Sequence, residues 1–102
     1  MAITNANVTT VASAIYTSTN NSATTVMHFC NYTNNSATAN VWLVPAGKQA
    51  NSSTIMYSNV TMTAFNTLVV DTEKIILANG DAIYANASAN LSVTATVSYI
   101  GI

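Results

Sequence analysis

The stretch that decides the fold is Leu91-Ser92-Val93-Thr94-Ala95-Thr96-Val97-Ser98-Tyr99, in which apolar and small polar residues alternate without a break. Successive side chains of a β-strand point to opposite faces, so this period of two predicts a strand with one buried face. The segment from Ala37 to Val44 alternates in the same way, but its second face also ends on apolar residues, Trp42 and Val44. Both patterns favour a sheet with a packed face and a more exposed one.

Turn-forming residues divide the rest of the chain into short segments. Asn20-Asn21-Ser22, Asn34-Asn35-Ser36, Pro45-Ala46-Gly47 and Asn79-Gly80 each separate apolar runs, and these residue types favour turns. The resulting candidate strands are Val8 to Tyr16, Thr24 to Tyr32, Ala37 to Val44, Thr54 to Met62, Thr67 to Asp71, Lys74 to Leu77, Ala82 to Ala87 and Leu91 to Ile100. Because Thr, Val, Asn and Ser form helices poorly, the sequence predicts an all-β chain: a single antiparallel β-sandwich, jelly-roll or Ig-like, of about eight short strands.

The length of 102 residues suits one domain. We therefore predict a single β-sandwich domain over residues 1–102. Residues 1–7 precede the first candidate strand, and we expect them to form a mobile or docking arm.

The scarcity of charge excludes several classes of partner. Only 5% of the residues are charged, and the basic side chains are Lys48 and Lys74. Two lysines cannot neutralise the phosphates that nucleic-acid binding requires, and no apolar run approaches the roughly 20 residues that span a bilayer. Asn, Ser and Thr supply 40 of the 102 residues, so the surface is polar but has little charge repulsion to keep copies apart. We expect a homo-oligomer that binds neither nucleic acid nor membrane.

The residues suited to catalysis are few. His28 and Cys30 lie two apart on a candidate strand, so they share a face, and a thiolate–imidazole dyad or half of a zinc site is the one catalytic alternative. The carboxylates, Asp71, Glu73 and Asp81, lack the spacing of a calcium loop. We predict that the chain is not an enzyme and holds no cofactor or metal.

Large side chains at predicted outward positions are the candidate binding residues. Trp42, Val44, Val69 and Tyr84 fall out of phase with the buried faces, and together they would form an apolar patch that water solvates poorly. Trp and Tyr are typical anchors of protein interfaces, so we predict a protein interface. The alternative is a sugar-binding surface lined by the aromatic residues Tyr16, Tyr32, Trp42, Tyr57, Tyr84 and Tyr99.

Several segments together resemble the small all-β virion proteins of tailed bacteriophages. These segments are Phe29-Cys30-Asn31, Val41-Trp42-Leu43-Val44-Pro45-Ala46-Gly47-Lys48, Thr67-Leu68-Val69-Val70-Asp71, Ile76-Leu77-Ala78-Asn79-Gly80-Asp81-Ala82-Ile83-Tyr84-Ala85 and Val97-Ser98-Tyr99-Ile100. The resemblance implies a virion component that is assembled in the host cytoplasm. It implies most directly a capsid decoration (cement) protein that binds the major capsid protein and stabilises the shell. The alternative it leaves is a small tail or fibre appendage that binds a receptor glycan.

Overall fold

The computed structural model of the chain describes residues 2–70, 75–89 and 92–102, which form β-strands joined by turns and loops. The strands are β1 (Ala2–Val8), β2 (Ser13–Thr17), β3 (Ser22–Asn31), β4 (Ala37–Val44), β5 (Ile55–Met62), β6 (Thr67–Val70), β7 (Ile76–Leu77), β8 (Ala82–Ala87) and β9 (Val93–Gly101). The described part contains no helix, and the predicted all-β class is confirmed.

Two antiparallel sheets form the sandwich. Sheet 1 has the order β1-β9-β3-β6, with β7 also paired to β3, and sheet 2 has the order β2-β8-β4-β5. Since β6 and β7 pair with different stretches of β3, they act together as one strand position. The first strand then pairs with the last, the second with the second-last, β3 with β6 and β7, and β4 with β5. This nesting of antiparallel pairs is the jelly-roll topology, so of the two predicted sandwich types the pairing selects the jelly roll.

The core lies between the inner faces of the two sheets, and the alternation in β9 is confirmed. Val93, Ala95 and Val97 are at most 1% exposed, whereas the residues between them are half-buried. The largest of the fully buried side chains, Phe29, lies on the neighbouring strand β3. Small alanines from sheet 2, such as Ala85, belong to the same core and allow the two sheets to pack closely.

The N-terminal segment differs from the prediction. Residues 2–8 are strand β1, which pairs with β9 in unbroken register, so the expectation of a mobile arm over residues 1–7 is wrong for residues 2–7. Met1 lies outside the described residues. The single strand predicted from Val8 to Tyr16 is also wrong, because the chain leaves sheet 1 after Val8 and enters sheet 2 at Ser13. The Thr9 hydroxyl accepts a bond from the Val11 amide and donates to the Val11 carbonyl, which bends the chain without Gly, Pro or Asn.

The other predicted strands agree closely with the observed ones. Ala37–Val44 and Ala82–Ala87 have the predicted bounds. Three predicted ends, Asp71, Lys74 and Leu91, lie outside the described residues. Strand β5 keeps no single period because its pairing with β4 shifts register twice and Asn59 has a φ of 51°.

Candidate functional site

Branched aliphatic side chains are exposed on the outer face of sheet 1. This apolar patch consists of Ile3, Val26, Val69, Ile76 and Ile100. Ile76 is 73% exposed, Ile3 68%, Val69 45% and Ile100 41%, and Val26 is half-buried.

The strand register places the members of the apolar patch beside one another. Ile100 and Ile76 lie on either side of Ala23, because both pair with that residue of β3. Neighbouring strands are about 4.8 Å apart, so roughly 10 Å separates the two isoleucine backbones, with only a methyl group between them. In the next row, Ser98 pairs with Ile3 on one side and with Val26 on the other. The patch therefore extends over β1, β9, β3, β6 and β7, with its members in neighbouring rows of the sheet rather than scattered.

Among the described residues, most of the rest of this outer face carries small polar side chains. Thr96 donates a 2.8 Å hydrogen bond to the side-chain oxygen of Asn5 on β1. His28 pairs with Thr96 on one side and Val69 on the other, and Cys30 lies in the next row, so His28 and Cys30 share a face as predicted. Cys30 is a free, half-buried thiol. Within the described ranges no three His, Cys, Asp or Glu residues are grouped closely enough to hold a metal ion.

Two of the predicted interface residues are neighbours on the opposite side of the sandwich. Trp42 on β4 and Tyr84 on β8 are directly paired, and both are half-buried on the outer face of sheet 2. Trp42 also pairs with Ile55 and Tyr84 with Ala14, so this row crosses all four strands of the sheet.

The other two predicted interface residues lie elsewhere. Val44 is in the same strand phase as Trp42 but is only 4% exposed, so it is not accessible to a partner at this surface. It pairs with the equally buried Ala82 at the end of β4, beside the junction where the Asp81 carboxylate binds the Ala46 amide. Val69 is exposed but belongs to sheet 1, on the far side of the sandwich from Trp42. The four residues therefore do not form one patch.

The sequence pattern indicates two members of the apolar patch, Ile3 and Ile100, that were not among the predicted interface residues. Ile100 continues the phase of Thr94, Thr96 and Ser98, which is the outer phase of β9, and Ile3 continues the phase of Asn5 on β1. An isoleucine in an otherwise polar phase indicates an exposed apolar residue.

The aromatic residues proposed as a sugar-binding surface are spread over both sheets. Tyr16 is 8% exposed and packs against Tyr99, whereas Trp42 and Tyr84 lie on the outer face of sheet 2. Tyr32 follows β3 and is 42% exposed. A single surface lined by all six rings is therefore not formed.

Comparisons with known proteins do not place the chain in a family. No family model matches it, and no match was found among curated proteins or solved structures. No helix in the described part of the chain is long and apolar enough to cross a membrane.

Proposed function

We propose that the protein is a structural component of a virus particle, most specifically a capsid decoration protein that binds and stabilises the coat shell. The observation that carries the proposal is the apolar patch on the outer face of sheet 1. Monomeric proteins rarely expose a large contiguous apolar surface, and such surfaces mark sites of protein association. The resemblance of five segments to phage virion proteins favours a virion as the assembly.

The energetics suit docking onto another protein. Full burial of an isoleucine is worth about 1.5 to 3 kcal/mol, and four members of the patch are more than 40% exposed. The described β1 and β9 residues beside the patch are Asn5, Asn7, Thr94 and Thr96, so burying this part of the face avoids the cost of desolvating ions. A complementary partner surface is apolar at its centre and has neutral hydrogen-bonding groups around it. We propose that the major capsid protein provides this surface.

Self-association is part of the same proposal. Strand β1 is an edge of sheet 1, and its seven residues contain no charge, no proline and no register shift. Charges, prolines and bulges are the features that protect edge strands from pairing with another chain. We infer that a second copy pairs with β1 across a two-fold axis, which would give a homo-oligomer.

The deciding experiment is quantitative mass spectrometry of purified particles carrying variant chains. The double variant Ile76→Asn/Ile100→Asn removes the centre of the patch, while Trp42→Ala removes the largest outward side chain of sheet 2 and serves as the matched control. We expect the double variant to lower the copy number per particle by about tenfold or more, the equivalent of roughly 1.4 kcal/mol, and the control to leave it unchanged.

The other outcomes of this experiment are equally informative. Loss caused by Trp42→Ala alone would move the interface to sheet 2 and contradict docking through the patch. A copy number near that of the major coat protein identifies a decoration protein, whereas roughly three, six or twelve copies would instead indicate a tail appendage. Absence of the unaltered protein from purified particles would overturn the virion proposal.

A further inference from the structure

A second surface feature lies at the side of the sandwich, where the edge strands β1 and β2 face each other. It is an open cleft of about 340 Å³, lined chiefly by Thr4, Ile15, Tyr16, Thr17, Thr19 and Tyr99. Apart from Thr19, which follows β2, these residues lie on strands of the two sheets, and none of them belongs to the apolar patch. The cleft is thus separate from the apolar patch, whereas Thr4 belongs to β1, the edge strand proposed to pair with a second copy.

Two local irregularities, one in each sheet, shape this cleft. On β2 the pairing with β8 shifts between Ala14 and Tyr16, and as a result Ile15 and Tyr16 are both buried. On β3 the pairing with β9 shifts between Thr24 and Val26, beside Tyr99. The two tyrosine rings meet with their centroids 4.5 Å apart and their planes inclined by 34°. Bulges commonly redirect side chains next to binding sites, and here they bring one ring from each sheet together.

A buried chain of hydroxyl groups fixes the Tyr16 ring. Ser18 donates its single hydroxyl proton to the carbonyl of Asn20, at 2.9 Å. Ser22 must then donate to Ser18, at 2.7 Å, and the Tyr16 hydroxyl must donate to Ser22, at 2.8 Å. Both serines are at most 2% exposed. Tyr16 is therefore held rigidly, and it supports the half-buried Tyr99 ring at the cleft.

The free groups of the cleft define the chemistry that it accepts. Within the described part of the chain, the hydroxyls of Thr4, Thr17, Thr19 and Tyr99 have no hydrogen-bonding partner, and no charged side chain lines the cleft. Each hydroxyl both donates and accepts, and the tyrosine ring offers an apolar surface. The described lining residues offer an anionic ligand no cation, and a wholly apolar ligand would leave their hydroxyls unpaired.

We propose that this cleft binds a neutral saccharide residue. A pyranose ring combines an apolar C–H face, which packs on the Tyr99 ring, with hydroxyl groups that bond to Thr4, Thr17 and Thr19. The volume lies at the lower end of the range of small-molecule pockets, which suits one or two sugar rings. This inference does not depend on the apolar patch or on the virion proposal.

The test is a titration of the isotope-labelled protein followed by two-dimensional amide NMR. The probes are glucose, galactose, mannose and N-acetylglucosamine at millimolar concentrations, the range expected for a single sugar in an open cleft. We expect at least one of them to give saturable shifts of the Thr4, Thr17 and Tyr99 amides, with the Ile76 amide unmoved.

Two variants assign the binding to the cleft. Thr17→Val removes a hydroxyl while keeping the side-chain shape, and it should raise Kd about fivefold. Thr61→Val, an exposed threonine on β5, is the matched control and should leave Kd unchanged. Tyr99→Leu should abolish saturable binding. Since the Tyr99 ring also packs on Tyr16, this variant can lose stability as well, and Thr17→Val therefore tests the cleft without removing that ring contact.

Three results would overturn the proposal. The first is the absence of amide shifts at the cleft with all four sugars. The second is binding that neither Thr17→Val nor Tyr99→Leu weakens. The third is stronger binding of glucose 6-phosphate than of glucose, which would contradict a site for neutral ligands.

Discussion

The side-chain amide nitrogen of Asn31 donates a 3.0 Å hydrogen bond to the backbone carbonyl of Met62, which joins the end of β3 to the end of β5. The carbonyls of Asn35 and Thr63 lie within hydrogen-bonding distance of the same nitrogen, so its two hydrogens are shared among three acceptors. The Asn31 oxygen accepts bonds from the amide and hydroxyl of Thr33. Asn31 is fully buried. One side chain thus satisfies backbone groups in two separate connections between the sheets.

Replacement of Asn31 should therefore be costly. Asn31→Ala removes a partner from the buried Met62 carbonyl and from part-buried backbone groups of Thr33 and Thr63, and we expect it to lower the free energy of unfolding by about 3 to 5 kcal/mol. The matched control is Asn34→Ala, since Asn34 is exposed in the same connection and its loss should change stability by no more than about 0.5 kcal/mol. Urea denaturation of both variants measures the difference, and equal stabilities would contradict the role assigned to Asn31.

The two glycines with positive φ should respond differently to alanine. Gly47 (φ 80°) has no neighbour within 4 Å of an added Cβ. Gly47→Ala should therefore lower the free energy of unfolding by only about 1 to 2 kcal/mol, the strain of an alanine in the left-handed backbone conformation. At Gly80 (φ 90°) the added Cβ would lie 3.0 Å from the Cβ of Ala46, so Gly80→Ala should cost more. The double variant Gly80→Ala/Ala46→Gly lacks the contact between the two Cβ atoms, so in thermal denaturation it should regain the stability that Gly80→Ala loses beyond Gly47→Ala. Failure to recover it would show that the contact with Ala46 does not matter.

Asp81 should stabilise the junction between two loops. One carboxylate oxygen accepts a 2.9 Å hydrogen bond from the backbone amide of Ala46, and the other accepts a 3.0 Å bond from the backbone amide of Ala78. Because both bonds are at the surface, we expect Asp81→Ala to cost about 1 to 2 kcal/mol, measured by chemical denaturation. Hydrogen exchange should accelerate at the Ala46 and Ala78 amides and stay unchanged at Phe29 in the core. Unchanged exchange at both loop amides would contradict the assignment.

Charge on the β1 edge should prevent self-association. The variant Asn5→Lys/Asn7→Lys places two lysines on the edge strand. If two copies pair through β1, the lysines of one copy would lie near those of the other and repel them. Sedimentation velocity should show a monomer for this variant and an oligomer for the unaltered chain and for the control Thr61→Lys on β5. If the Asn5→Lys/Asn7→Lys variant associates as strongly as the unaltered chain, pairing through β1 is wrong.

Local patterns were sufficient to predict most strands and their faces. The alternation of Val93, Ala95 and Val97 with small polar residues determined both the strand and its buried side. Turn residues bounded β4 and β8 because Pro, Gly and Asn act on the backbone within one or two residues. The step from β1 to β2 was missed because it uses the hydroxyl of Thr9, a residue that is also common in strands.

The all-β class, the approximate strands and the low charge of the chain follow from the amino-acid sequence alone, since they depend on each residue and its near neighbours. The tertiary structure decided which strands pair, and thereby the jelly roll, because those contacts join residues as distant as Ala2 and Tyr99. It also decided the candidate sites. Val69 and Trp42 share an outward phase but lie on opposite sheets, whereas Ile76 and Ile100 become neighbours only through Ala23. A period of two gives the face of a strand, but only long-range pairing gives the sheet to which that face belongs.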